Sequence, residues 1–271
     1  MRFASRLTPA ALLFPAAVAA QASPPAPVGT VVVGVHVTPR QTASTAMFGG
    51  AVLKLTAGSD GQRTSVTIAF DSVSGSGAFL NGAWLRSLTR QGDDSIDLLA
   101  ALPATLRAML PPTIIGDSTS QGLRLRLSTR STDSIVQNDS LVKDSSRATP
   151  TGVMRTVAGT RCEDWNVISG SDTAVVCMAA QTAAMAPLIR WATAKLHLDG
   201  PRGQRLAGVF GGRKLIPLRA VSGDSSAVVE VLSASADAPP AGAFEIPAGF
   251  HLLDADALKG MVPPGLMTKK P

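Results

Sequence analysis

The chain has 271 residues, 45% of them apolar and only 16% charged, against about a quarter charged in an average soluble domain. A charge-rich disordered chain is therefore excluded. The formal charge of +6 includes no run of five or more like charges, and 3 Trp and 8 Phe with no Tyr offer few stacking rings. That combination points away from a nucleic-acid partner.

Residues 1–22 read as a secretory signal peptide. Arg2 and Arg6 precede an apolar stretch from Leu7 to Ala20, and Ala20-Gln21-Ala22 supplies the small-residue cleavage site, with the cut expected between Ala22 and Ser23. Pro9 and Pro15 interrupt the stretch, which is shorter than the ~20 apolar residues of a spanning helix. No cysteine lies near the cut for lipid attachment, and no later segment approaches a membrane span. The expected product is periplasmic or secreted, with no membrane span in its mature form. Residues 23–27 read as a flexible N-terminus, 28–255 as a single domain and 256–271 as a C-terminal tail.

Strand signals follow at Thr30–Val37, Ala51–Leu55 and Thr64–Phe70, the last two separated by the turn residues Gly58-Ser59-Asp60-Gly61. The periodicity of Leu99, Leu102, Leu106 and Met109 predicts a helix over Ser95–Leu110, with Pro103 kinking or splitting it. Leu123-Arg124-Leu125-Arg126-Leu127 alternates strictly, which predicts a strand with one dry and one wet face. Residues 128–150 are rich in Ser, Thr and Asp and hold at most one hairpin. A further strand fits Val153–Ala158. Met185, Leu188, Ile189, Ala192 and Leu196 form a stripe that predicts a second helix over Ala179–Leu196, in which Pro187 must lie in the first turns or bend it. The last strands are expected at Arg205–Phe210, Leu215–Val221, Ala227–Leu232 and Phe244–Pro247, with a short helix at Asp254–Lys259.

Ten to twelve strands with two helical inserts describe an α+β protein: a curved antiparallel sheet, a half-barrel, covered on its concave face by two or three helices. Cys162 and Cys177 invite a disulfide in an exported chain. A two-residue turn at Ser169-Gly170 would set them opposite each other, the alternative being two buried thiols.

Catalytic chemistry is sparse. His36, His197 and His251 stand apart, no glycine-rich phosphate loop is present, and Gly75-Ser76-Gly77 lacks the spacing of a nucleophile elbow. Glu163 and Asp164 are adjacent, so in a strand they point to opposite faces and form no carboxylate dyad. No enzyme activity, metal or cofactor is expected. Apolar surface is abundant instead. Leu99, Leu102, Leu106, Met109, Met185, Leu188 and Trp191 would line a cavity between sheet and helices or, as readily, fill a packed core.

Two stretches carry a resemblance. Val157-Ala158-Gly159-Thr160-Arg161-Cys162-Glu163-Asp164-Trp165 and Phe244-Glu245-Ile246-Pro247-Ala248-Gly249-Phe250 resemble the A-G-x-x-C-E-x-W and F-x-I-P-x-G-F motifs of an exported bacterial family classed as a domain of unknown function. That family is itself similar to the LolA and LppX type of periplasmic lipoprotein carrier. The resemblance implies a half-barrel over a hydrophobic cavity and a lipid, acyl chain or lipoprotein ligand. The alternative is a protein-interaction or envelope-stress sensing module with a filled core and an envelope protein as partner. The motif residues themselves suit structural roles. Gly159 permits a bulge or a positive φ, Trp165 fills the core, and Pro247 with Gly249 ends the last strand.

Overall fold

The computed structural model describes residues 26–38, 50–93, 95–109, 122–128, 147–169, 172–196 and 214–252. Twelve strands are formed: β1 (Gly29–Val37), β2 (Gly50–Ser59), β3 (Arg63–Ser74), β4 (Trp84–Arg90), β5 (Ser95–Ala101), β6 (Gly122–Ser128), β7 (Arg147–Val157), β8 (Thr160–Ser169), β9 (Asp172–Ala180), β10 (Leu215–Ser222), β11 (Ala227–Ser235) and β12 (Phe250–Leu252). The α-helices among the described residues are α1 (Ala104–Met109) and α2 (Ala186–Lys195).

All twelve strands belong to one curved open sheet, in the order β12-β6-β5-β4-β3-β2-β1-β11-β10-β9-β8-β7. Every pairing is antiparallel except β12 with β6. The curl at the β7 end is strong enough to bring β7 within 8 Å of β11, Cα to Cα, although β10, β9 and β8 lie between them.

Alternation along β1–β6 sorts the side chains onto two faces. One cross-strand row runs Val33, Leu55, Ile68, Leu85, Ala100, Leu123, and the next runs Val31, Ala57, Val66, Ser87, Leu98, Leu125. We call this the helix face, because α2 seats Leu188 against Gly29 at its β1 end. There Val31, Val33, Leu55 and Ala57 are buried with Leu188, Ile189 and Ala192 in one core. Lys54, Arg63, Arg86, Arg90, Asp97, Arg124 and Arg126 alternate with these residues and stand on the opposite face.

That opposite face is crossed by residues 236–249, so we call it the strap face. Leaving β11, the chain lays Pro239 on Gly58 and forms a 3-10 turn at Ala241–Phe244. It then reaches the far edge of the sheet as β12, six strands away from β1. This route explains the parallel pairing: a chain crossing a face returns along its new neighbour without a hairpin. The expected strand at Phe244–Pro247 is corrected accordingly. Pro247 and Gly249, with φ of +86°, interrupt it, and only Phe250–Leu252 pair.

Two helix expectations are also corrected. Ser95–Ala101 is strand β5, and the helix begins only after Pro103, whose carbonyl accepts from the Arg107 N–H. Consecutive leucines serve both faces of that strand, Leu98 on the helix face and Leu99 on the strap face. Strand β9 likewise runs on to Ala180, so α2 starts at Ala186, where Pro187 falls in its first turn and costs no hydrogen bond. The expectations for residues 129–146, Arg205–Phe210 and Asp254–Lys259 lie outside the described residues, as do the signal peptide, Ala22 and Ser23.

Candidate functional site

The helix face changes character from strand to strand. Under α2 it is closed: Val31 is 0% and Val33 1% exposed. On β3 Val66, Ile68 and Phe70 are half-buried. On β4 and β5 the face opens, with Leu85 46% and Leu98 37% exposed, and Ile96, Ala100, Leu123 and Leu125 flank them half-buried. Its polar groups on β3 and β4 are small. Thr64 and Thr89 bond each other through their hydroxyls at 2.8 Å, and Ser87 is half-buried. An uncharged apolar surface running out of a packed core is the arrangement that accepts a hydrocarbon chain or an apolar protein segment.

Of the residues singled out as a cavity lining, Leu99 lies on the opposite face of the sheet from Met185, Leu188 and Trp191. Met185, Leu188 and Trp191 pack on α2 into the closed core. Leu99, 1% exposed, is on the strap face between Arg86 and Arg124 of the neighbouring strands. Leu102 and Leu106 are half-buried beside and within α1. Met109 is the last residue of α1, and its side chain lies outside the described residues. The open apolar residues that sequence reasoning missed carry a legible signal: Leu123 and Leu125 stand on the dry side of the alternating strand, and Leu85 and Leu98 share their rows.

The strap face is polar and ion-paired. Arg124 reaches Asp97 at 3.4 Å and Arg126 reaches Asp93 at 3.1 Å. Hydrogen bonds from Ser95 hold the Asp93 carboxyl below its ordinary pKa, helped by Arg126. Arg86 donates to Thr67 at 3.0 Å and to the Gly242 carbonyl of the strap at 3.5 Å, and its own pKa is lowered by burial.

At the curled end Cys162 and Cys177 form a disulfide. The register differs from expectation by two residues: Ser169 pairs with Asp172, so Cys177 stands opposite Asp164 and the bond to Cys162 runs diagonally. Gly159, with φ of +75°, sits in the tight β7–β8 turn, and Trp165 is buried with Val167, Val176 and Met178. Glu163 accepts from the Gly152 N–H. Phe244 lies under Arg63, 4.6 Å from guanidinium carbon to ring centroid. His36 on β1 and His251 on β12 are exposed and widely separated, and His197 lies outside the described residues. No group of three or more His, Cys, Asp and Glu that could hold a metal ion occurs among the described residues. None of the described helices is long and apolar enough to cross a membrane.

No model of a known protein family matches the chain. No curated protein sequence matches it either. Among solved structures the chain is similar to PNGF-II in two crystal forms, at 11% and 13% identity with TM-scores of 0.31 and 0.32. These alignments cover 88% and 86% of this chain, which spans only 33% and 32% of the PNGF-II chain. It is also similar to MucB in complex with MucA(peri), at 10% identity and a TM-score of 0.33, over 81% of this chain and 55% of that one. Likenesses this distant carry no functional argument.

Proposed function

We propose that this protein is a non-enzymatic binding module of the bacterial envelope that holds a lipid or acyl chain against the open part of its helix face. One observation carries the reading. Apolar side chains predominate in the rows across β3–β6, with large residues exposed at Leu85 and Leu98, while Lys54, Arg63, Arg86, Arg90, Asp97, Arg124 and Arg126 stand on the other face. Burying that surface against hydrocarbon gains roughly 25 cal/mol per Å². The leader-like N-terminus and the disulfide support an exported site of action, and the sequence resemblance to lipoprotein carriers supports the ligand class.

The test is native mass spectrometry of the protein purified gently from a bacterial periplasm, followed by titration with a fluorescent fatty-acid analogue. Extra mass matching a lipid, or saturable binding of the analogue that is lost in Leu85→Lys and Leu98→Lys, is the expected result. A bare protein that does not bind the analogue would overturn the reading. A stable crosslink to one envelope protein, also lost in those two variants, would then assign the apolar face to a protein partner.

A further inference from the structure

One cross-strand row on the strap face runs Ala69 on β3, Trp84 on β4, Ala101 on β5, Gly122 on β6 and Phe250 on β12. Phe250 and Trp84 are separated by two whole strands, which at ~4.8 Å per strand spacing places their backbones ~14 Å apart. Their rings nevertheless stack, with centroids 5.5 Å apart and planes at 28°. The stack forms because the residues between are small. Ala101 offers only a methyl, and Gly122 nothing, so the Phe250 ring lies on the β6 backbone where any Cβ would overlap it. Arg86 completes the seat, 5.0 Å from the Trp84 ring centroid, while donating to the strap at Gly242.

We infer that the strap is a clasp whose seat is the Trp84–Gly122–Phe250 row, and that its engagement sets the order of β6 and so of the apolar face on the other side. Strand β6 is held on one side by seven pairings with β5 and on the other by three parallel pairings with β12. Its alternate residues Leu123 and Leu125 form the outer wall of the open apolar face. Freeing Phe250 removes the outer ladder and the stack together, leaving β6 as a frayed edge strand. The two faces of the sheet are thereby coupled through one strand, whichever ligand the apolar face takes.

Native-state hydrogen exchange on the full chain tests this. In Phe250→Ala the amides of Ser95–Ala101 and Gly122–Ser128 are expected to exchange about tenfold faster or more, with β1, β2 and β11 unchanged. Gly122→Ala, which leaves the aromatic pair intact but lifts the ring off its seat, is expected to reproduce the effect, and the double variant to add little. Phe250→Leu, keeping an apolar side chain on Gly122, is expected to restore part of the protection. Unchanged exchange in β6, equal acceleration of every strand, or full additivity of the two substitutions would each overturn the clasp.

Discussion

Cys177 stands opposite Asp164 in the β8–β9 ladder and is bonded to Cys162, two residues along the same strand. The disulfide therefore ties a diagonal pair on one side of the hairpin, and both sulfurs sit in the core with Val157 and Ala179. Closing a loop over a sequence separation of 15 constrains the unfolded chain by about 3 kcal/mol in the chain-entropy account. The Cys162→Ala/Cys177→Ala variant should lose stability of that order in urea unfolding. Wild type unfolded with excess dithiothreitol should shift to match it, and an unchanged midpoint in both would show that the bond adds nothing.

Beside that disulfide, Asp164 is buried with one carboxylate oxygen 2.6 Å from Arg155 Nε and the other without a hydrogen-bond partner. Arg155 is half-exposed, so the two partners are not equivalent. Removing the arginine strands a buried charge, whereas Asp164→Asn removes the charge and keeps a polar group in place. Arg155→Ala should cost about 2 kcal/mol at pH 7, Asp164→Asn should cost less, and denaturant midpoints of the two variants should rank accordingly.

The β2–β3 turn is organised by Asp60, whose carboxylate accepts from the backbone N–H groups of Gln62 and Arg63 and from the Arg63 side chain. Slight burial raises its pKa, but the bonds from Arg63 and Gln62 outweigh it and leave the pKa below its ordinary value. A depressed folded-state pKa means that the carboxylate's contribution is complete above the ordinary aspartate value of about 4 and fades as pH falls through the folded value. Asp60→Ala should therefore melt below wild type at pH 7, and the gap should narrow as pH falls below 4. A gap independent of pH would assign the effect to turn geometry alone.

Tight turns also hold strain that a substitution can relieve. Val157 pairs with Thr160, leaving a two-residue turn in which Ala158 has φ of +47° and Gly159 +75°. Glycine and asparagine tolerate that region, and alanine does so at a cost of about 1 kcal/mol. Ala158→Gly should raise the thermal midpoint by a few degrees, and Ala158→Asn should do the same. A lower midpoint in both would mean that the methyl's packing against the core outweighs the strain.

Much of the sheet was legible because alternation is a backbone property: β1, β3, β6 and the Cys162 hairpin all show it in their residues. Misreadings arose where one segment served two environments. Ile96, Leu98 and Ala100 alternate as a strand should, but Leu99 is buried as well under the strap face, and the resulting run matches helical spacing just as well. The disulfide partners were legible from their number, whereas their register depended on which two residues turn the chain. The route of the strap had no signal in the local sequence. Phe250 pairs with Gly122, 128 positions earlier, and only the small residues Ala101 and Gly122 beneath two rings reveal why.

The division of the helix face yields a prediction that separates stability from binding. Leu188 is buried against Gly29 and the β1–β2 core, so Leu188→Ala opens a cavity and should cost about 2–4 kcal/mol. Leu98, 37% exposed on β5, has less burial to lose, and Leu98→Ser should cost about 1–2 kcal/mol, less than Leu188→Ala. For binding of the fluorescent fatty-acid analogue the order should reverse, with Leu188→Ala near wild type under conditions where it is folded and Leu98→Ser weakened severalfold. Urea unfolding and probe titration of both variants give the comparison. If Leu188→Ala alone abolished binding, the ligand would sit under α2 in the closed half, and the open rows of β3–β6 would have to serve another partner.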